Sequence, residues 1–226
     1  NSAAMLSTLD LAAKYKARYV FGSSSVVYGA RSDSSVHLVE GEEGLVDHLS
    51  PRACYDEGKR FAETCVETYR QVFGIDAKIA RIFPTYGPRM KLRDGLLIPD
   101  FILDAITGKS LVIYGDEHTA QSFCFISDTV DALVRLMRAP AEMSVVNVGS
   151  DQLFRIADVA SAIVQMTESA SQITFEPPLA FVSKRGVPDL RKAKEQMDWL
   201  PLVRMEDGLR RTVDYTLANM EAITLG

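Results

Sequence analysis

The sequence is poor in the residues that build disulfide frameworks and metal centres. Among its 226 residues are 3 cysteines, with no C-x-x-C pair, and 3 scattered histidines without metal-ligand spacing. An odd number of cysteines without paired spacing fits free thiols in a reducing compartment. We therefore expect a cytoplasmic protein without a metal site.

Basic clusters and long apolar runs are also missing. The formal net charge is -5, and no group of lysines and arginines could follow a phosphate backbone, which argues against nucleic-acid binding. The apolar stretch from Gly95 to Ile106 is interrupted by Pro99, Asp100 and Asp104, so no membrane span is predicted. The hydrophobic share of 47% is enough for a buried core in one large domain or two small ones.

Apolar periodicity predicts strands that alternate with helices. Helices are predicted at 3–15 and 52–73 and strands at 19–22 and 77–82, with Pro51 before the long helix and Gly74 after it. This alternation predicts an α/β fold in which helices cover a parallel sheet. Further helices are predicted at 96–107, 130–137, 154–166 and 205–220, and short strands at 111–114, 122–125 and 173–175.

The long helix places Tyr55 and Lys59 four residues apart, so their side chains share one helix face. A cation beside a phenol favours the phenolate, which makes Tyr55 a candidate base near neutral pH. A half-buried tyrosine beside a solvated lysine satisfies the same spacing, so the pair alone is not specific. Asp56 and Glu57 point away from Tyr55 on a helix, and we expect them at the solvated surface.

Motifs along most of the chain strengthen the catalytic interpretation. The strand at 19–22 leads into Ser23-Ser24-Ser25-Val-Val-Tyr28-Gly29. The motifs after the long helix lie at 80–90, 111–116, 122–128, 146–149 and 188–190. Together they resemble the extended short-chain dehydrogenase/reductase family, the NAD-dependent epimerases, dehydratases and decarboxylases of nucleotide sugars. The segment Pro-Arg-Ala-Cys-Tyr-Asp-Glu-Gly-Lys-Arg is most similar to UDP-glucuronate decarboxylases.

The resemblance implies a Rossmann-type parallel sheet, incomplete in this chain, with a smaller α/β substrate-binding domain. Residues 1–84 are expected to be the carboxyl-terminal part of the NAD-binding domain, and residues 85–226 mainly the substrate domain. Residues 122–148 also fit a return to the first domain. The implied partners are NAD, a nucleotide sugar of the UDP type, and a second copy of the chain. That homodimer would form through the helices at 3–15 and 52–73, with Phe61, Cys65 and Val72 in the contact.

The resemblance assigns catalysis to Ser24, Tyr55 and Lys59. Tyr55 would take a proton from a sugar hydroxyl at C4 while the carbon gives its hydride to NAD. Lys59 would bond the nicotinamide ribose, and Ser24 would share the proton with the substrate oxygen. Ser23 and Ser25 are expected to be structural and to face opposite sides of the strand end, with Ser23 also a candidate cofactor contact beside Tyr55 and Lys59.

Candidate substrate contacts lie later in the chain, at Arg89, Leu111, Tyr114, Gln121 and Arg185. Three positions depart from the family pattern: Pro84 stands for an asparagine, and Gln121 and Gly186 each stand for an arginine that would bind phosphate. Arg185 is a neighbouring candidate to replace the arginine absent at 186.

Another departure affects the type of reaction. The dehydratases and decarboxylases carry a glutamate in Ser-Glu-Val-Tyr-Gly, and Val26 occupies that position here. Dehydration is disfavoured, because valine moves no proton. Decarboxylation of a 4-keto uronate depends less on that glutamate, and 4-epimerisation needs no second acid. Decarboxylase, 4-epimerase and a noncatalytic binding or scaffold protein all stay open.

The glycine-rich turn that binds pyrophosphate in this family is not found. The nearest match, Gly41-Glu-Glu-Gly44, lies in an acidic loop that would repel phosphate. We therefore expect roughly the carboxyl-terminal two-thirds of an enzyme, whose first strands are cleaved, disordered or never present. Activity should need that segment, and these residues alone should bind NAD poorly.

Overall fold

A computed structural model describes residues 2–31, 33–179 and 186–220. The helices are α1 Ser2–Tyr15, α2 Ala53–Phe73, α3 Leu97–Ile106, α4 Ile126–Arg138, α5 Ile156–Met166, α6 Arg191–Met197 and α7 Met205–Ala218, with a 3-10 helix at Ser25–Tyr28. The strands are β1 Tyr19–Ser24, β2 His37–Leu38, β3 Ala77–Ile82, β4 Thr85–Tyr86, β5 Leu111–Tyr114, β6 Ala120–Ser122, β7 Cys124–Phe125, β8 Val145–Val148, β9 Leu153–Arg155, β10 Ile173–Glu176 and β11 Val187–Pro188.

The largest sheet is parallel, with the strand order β1-β3-β8. Directly paired residues of neighbouring strands point to the same face of a sheet. Ser23 of β1 pairs with Arg81 of β3, and Arg81 pairs with Asn147 of β8. These three polar residues therefore form one row near the carboxyl ends of the strands, and the row continues an apolar face.

Helices cover both faces of this sheet. On one face α1 and α2 pack against β3, and the shared core includes Leu9, Val66 and Ile79. On the other face α4 and α6 pack against β3 and β8, around Val146 and Trp199. Burial on both faces favours apolar strands, and β8 is apolar except for Asn147, while β3 also carries Lys78 and Arg81. The predicted α/β fold with a parallel sheet is confirmed.

A second core lies in the carboxyl-terminal part of the chain. Helices α3, α5 and α7 enclose it, together with strands β5 and β10, which are parallel, and β6 and β9, which are antiparallel. Its buried side chains include Phe101, Ile113, Phe123 and Leu209. Strand β8 and helix α4 belong to the first sheet and its covering layer, while the boundary at residue 84 stays a prediction.

Strand β1 lies at an edge of the sheet, since among the described residues it pairs with β3 alone. Beside this edge is an open apolar groove of about 480 Å³, between β1 and α4. Its lining includes Val20 from β1 and Val130, Val134 and Met137 from α4. Within the described ranges, the helices are too short or too polar to cross a membrane.

Candidate active site

Helix α2 brings Tyr55 and Lys59 to one face, as the spacing predicted. The Lys59 ammonium lies 5.8 Å from the centre of the Tyr55 ring and 5.0 Å from that of Phe21. It donates a 2.7 Å hydrogen bond to the carbonyl oxygen of Gly22 in β1. Tyr55 is 38% exposed, so part of its side chain is accessible to a ligand.

Burial lowers the pKa of Lys59 below its ordinary value, because partial loss of water penalises the charged form. A partly dehydrated ammonium acts on its neighbours through a lower dielectric than a surface lysine does. The pair therefore combines an accessible phenol with a cation whose field is weakly screened. This arrangement suits a group that gives and takes a proton.

Ser24 ends strand β1 and begins the turn toward Tyr28. Its backbone is extended, and its hydroxyl oxygen accepts a 3.4 Å hydrogen bond from the backbone N–H of Val26, which caps the 3-10 helix. Val26 itself is 2% exposed. Position 26 therefore holds a buried apolar side chain, which cannot transfer a proton.

The surroundings of Ser23 fit only one of its two predicted roles. Its hydroxyl donates a 2.6 Å hydrogen bond to Oε1 of Glu63 on α2, and the residue is buried. The structural role fits this geometry. The contact to a cofactor does not, because the hydroxyl already faces the helix and is closed to solvent.

Glu63 joins Ser23 to the largely buried cation of Arg81. Its carboxylate accepts hydrogen bonds from Arg81, 3.0 Å from Nε to Oε1 and 2.8 Å from Nη2 to Oε2. Burial opposes the charge on Arg81, yet the bonds and negative charge of Glu63 raise the pKa of Arg81 above its ordinary value. The guanidinium also lies 4.7 Å from the ring centre of Tyr28.

The same network extends to β8. Tyr28 donates a 2.8 Å hydrogen bond from its hydroxyl to Oδ1 of Asn147, and burial raises the pKa of Tyr28 to about 12. Glu63, Arg81 and Asn147 carry no role predicted from the sequence. A signal for Glu63 existed, because it follows Lys59 by four residues on the same helix face.

The predicted substrate contacts have different surroundings. Arg89 is exposed and has a backbone φ of 68°, Tyr114 is exposed at the end of β5, and Gln121 is half-buried in β6. Leu111 does not fit its predicted role, because it is fully buried in the second core. Arg185 lies outside the described residues.

Two further positions refine the sequence analysis. A Cβ on Gly186 would lie 2.2 Å from the carbonyl oxygen of Val36, so an arginine could not stand there without a shift of the backbone. Asp56 is not simply a solvated surface residue: its Oδ1 is buried and has no hydrogen-bond partner among the described residues. Glu57 is partly exposed and lies 3.7 Å from Arg60.

Comparisons with known proteins identify the family of the chain. Residues 1–149 match the model of the NAD dependent epimerase/dehydratase family, and the chain belongs to this family. A UDP-glucuronic acid decarboxylase 1 from Xenopus tropicalis is 40% identical over 222 residues, which are 98% of this chain and 52% of that protein. The chain thus spans about half the length of this relative. The resemblance found in the sequence is confirmed.

Solved structures show the same fold. An epimerase from Methanothermobacter thermautotrophicus has a TM-score of 0.88 at 24% identity, over 98% of this chain and 66% of that one. A UDP-glucuronic acid 4-epimerase from Bacillus cereus, in complex with UDP-glucuronic acid and NAD, has a TM-score of 0.81 at 25% identity, over 93% of this chain and 65% of that one.

Proposed function

We propose that the protein modifies a nucleotide sugar through a 4-keto intermediate with NAD as its cofactor, and that UDP-glucuronate is the substrate. The observation that carries the proposal is the shared face of Tyr55 and Lys59 beside the strand end with Ser24. The similarity to a UDP-glucuronic acid decarboxylase supports the choice of substrate.

The described residues fit the reactive end of the cofactor. An exposed phenol and a partly dehydrated ammonium lie on α2, the ammonium is bound to β1 at Gly22, and Ser24 ends that strand at the edge where α/β sheets bind ligands. Bound NAD supplies the acceptor for a hydride. Tyr55 removes the proton of the sugar hydroxyl, Lys59 stabilises the phenolate and binds the nicotinamide ribose, and Ser24 holds the substrate oxygen.

Decarboxylation, a lyase reaction, is the first candidate. A 4-keto uronate is a β-keto acid and loses carbon dioxide without a strong acid at the leaving carboxylate, so positioning supplies much of the rate. The 4-epimerase, an isomerase, is the second candidate. Buried Val26 favours it, because no proton-transfer group stands at the position where the decarboxylases carry glutamate.

The reaction products distinguish a decarboxylase from a 4-epimerase. The protein as the cell makes it is incubated with NAD and UDP-glucuronate, and NMR follows the sugar. A UDP-pentose with released carbon dioxide supports the lyase, and the 4-epimer supports the isomerase. Tyr55→Phe should abolish either product while the circular dichroism spectrum stays unchanged. No turnover of any UDP-sugar by the wild type would leave the noncatalytic binding or scaffold role.

A homodimer through α1 and α2 is part of the proposal. Phe61, Cys65 and Val72 lie on one face of α2 by their spacing, and Phe61 and Val72 are exposed there. On α1, Leu11 and Tyr15 are also exposed apolar residues. An exposed apolar surface on two adjacent helices is typical of a subunit contact.

A further inference from the structure

A largely buried polar network lies next to the candidate active site. It consists of Ser23, Tyr28, Glu63, Arg81 and Asn147. Ser23, Arg81 and Asn147 form one row across the three parallel strands, and helix α2 supplies Glu63. Each of the three strands thus contributes one member, and Tyr28 closes the network from the 3-10 helix.

Glu63 connects the two elements that carry the proposed catalytic groups. Tyr55, Lys59 and Glu63 follow one another at intervals of four residues, so they share a face of α2. The Glu63 carboxylate accepts a hydrogen bond from Ser23 at 2.6 Å and binds Arg81 through two nitrogens. Because Ser24 directly follows Ser23, a bond that fixes Ser23 also fixes the end of β1.

The far side of the network holds the loop between the 3-10 helix and α2. Nη1 of Arg81 donates a 2.9 Å hydrogen bond to the carbonyl oxygen of Glu40, and the backbone N–H of Asn147 donates one of 2.9 Å to Oε1 of Glu40. Asn147 also donates from Nδ2 to the carbonyl oxygen of Leu38 at 2.7 Å. The segment that begins at Ser24 is therefore held again at Leu38 and Glu40.

Stability alone gives a weak reason for this arrangement. The side chains of Glu63 and Arg81 are each 12% exposed, and burial of two charges costs about as much as their attraction returns. Apolar side chains of the same volume could fill the space between helix and strand. What the ion pair adds is direction, because a bidentate pair fixes both partners in one orientation.

We propose that Glu63 is a positioning residue, which sets the place of Ser24 relative to Tyr55 through its bonds to Ser23 and Arg81. The positioning of Ser24 by Glu63 is supported by the hydrogen bonds of the network alone. Its effect on turnover rests on the proposed function. Arg81 then serves the same purpose, since it binds Glu63, and Asn147 holds the loop before α2 at Leu38 and Glu40.

The test compares Glu63→Gln and Ser23→Ala with Glu67→Gln. Glu67 is one helical turn further along α2, where it pairs at 2.8 Å with Arg70 of the same helix and not with β1. Hydrogen exchange is measured at the amides of residues 24–29, where the Val26 N–H reports on the Ser24 hydroxyl. Exchange there should accelerate by about tenfold or more in Glu63→Gln and Ser23→Ala, and stay at the wild-type rate in Glu67→Gln.

The kinetic readout is the division between kcat and KM. With UDP-glucuronate, Glu63→Gln should lower kcat by about tenfold to a hundredfold at nearly constant KM, since misplacement of a catalytic group affects the chemical step. Unchanged exchange in both site variants, or equal acceleration in Glu67→Gln, would overturn the proposal. If Glu63→Gln does not fold, Ser23→Ala decides, because it leaves the ion pair in place. A wild type without turnover refutes the proposed function, and the exchange rates still decide the positioning role.

Discussion

The Lys59 ammonium donates its hydrogen bond to the carbonyl oxygen of Gly22, 2.7 Å away, and faces the Tyr55 ring at the same time. The lysine thus joins the helix with the tyrosine to the strand with the serines. A charge held by the strand cannot swing away from the phenol when a ligand enters, which preserves its effect on Tyr55.

Lys59→Met should keep the fold and lose the reaction. The methionine retains the apolar part of the side chain against Phe21 but removes the charge and the bond to Gly22. We expect kcat for UDP-glucuronate to fall by about a hundredfold or more, the usual contribution of acid–base catalysis. Steady-state kinetics and urea unfolding measure the two effects. Activity within about threefold of the wild type would remove Lys59 from the catalytic set.

Tyr28→Phe should change how stability depends on alkaline pH. Burial raises the pKa of Tyr28 to about 12, whereas the unfolded phenol titrates near pH 10, so between these values the native state binds more protons. The free energy of unfolding therefore falls as the pH rises through this window, by about 1.4 kcal/mol at pH 11. Below pH 10 the contribution of Tyr28 is fully present. The Tyr28→Phe variant has no phenol to ionise, so it does not lose stability in this way.

At pH 9 the Tyr28→Phe variant should be less stable than the wild type by about 1–2 kcal/mol, because Asn147 loses the hydrogen bond from the phenol. Between pH 9 and pH 11 this difference should shrink. Urea unfolding of both proteins at the two pH values measures it. A constant difference would show that Tyr28 titrates normally in the native state.

Asp128→Ala should destabilise the fold strongly. Oδ2 of this buried carboxylate accepts hydrogen bonds from the backbone N–H groups of Leu202 and Val203, at 3.0 and 2.9 Å. Removing it leaves two donors without their acceptor, for an expected loss of about 2–4 kcal/mol in the free energy of unfolding. The single tryptophan, Trp199, bonds the Asp128 carbonyl and reports the transition by fluorescence.

Asp131→Ala is the matched control for that experiment, because Asp131 lies on the same helix in an exposed pair with Arg135. Exposed ion pairs contribute about 0–1 kcal/mol. Equal losses of unfolding free energy in Asp128→Ala and Asp131→Ala would mean that the hydrogen bonds to residues 202 and 203 do not stabilise the fold.

Phe61→Glu should turn the proposed dimer into a monomer, since it places a charge in the apolar contact of α1 and α2. Light scattering at micromolar concentration measures the mass. Leu202→Glu, an exposed apolar position in the segment that packs near α4, should leave the mass unchanged. A wild type that is monomeric under these conditions contradicts the dimer directly.

Local signals predicted much of the fold. The spacing of Tyr55 and Lys59 needs only helical geometry, and Gly74 ends α2 with a positive φ of 62°, as a C-cap does. Helix α6 was missed, because its sequence RKAKEQM carries few apolar residues. Strand β8 was missed as an element, although its residues were recognised as part of a motif.

The network around Glu63 depends on relations that no local pattern contains. Glu63 and Arg81 are 18 residues apart, and Tyr28 and Asn147 are 119 apart. Their contact requires the register of β1, β3 and β8, which a single sequence does not specify. The predicted substrate contact at Leu111 was wrong for a similar reason, because Leu111 lies in a core that also includes side chains of the distant helices α5 and α7.

Within the part of the chain that the structure describes, the second edge of β1 is free, which has a practical consequence for work with this protein. Unpaired strand edges that lie beside apolar surface tend to join the edges of other molecules and aggregate. The groove between Val20 and the exposed Val130 and Val134 is such a surface. Preparations of the 226 residues alone should therefore lose monodisperse material as concentration rises, and a strand that covers this edge should restore their solubility.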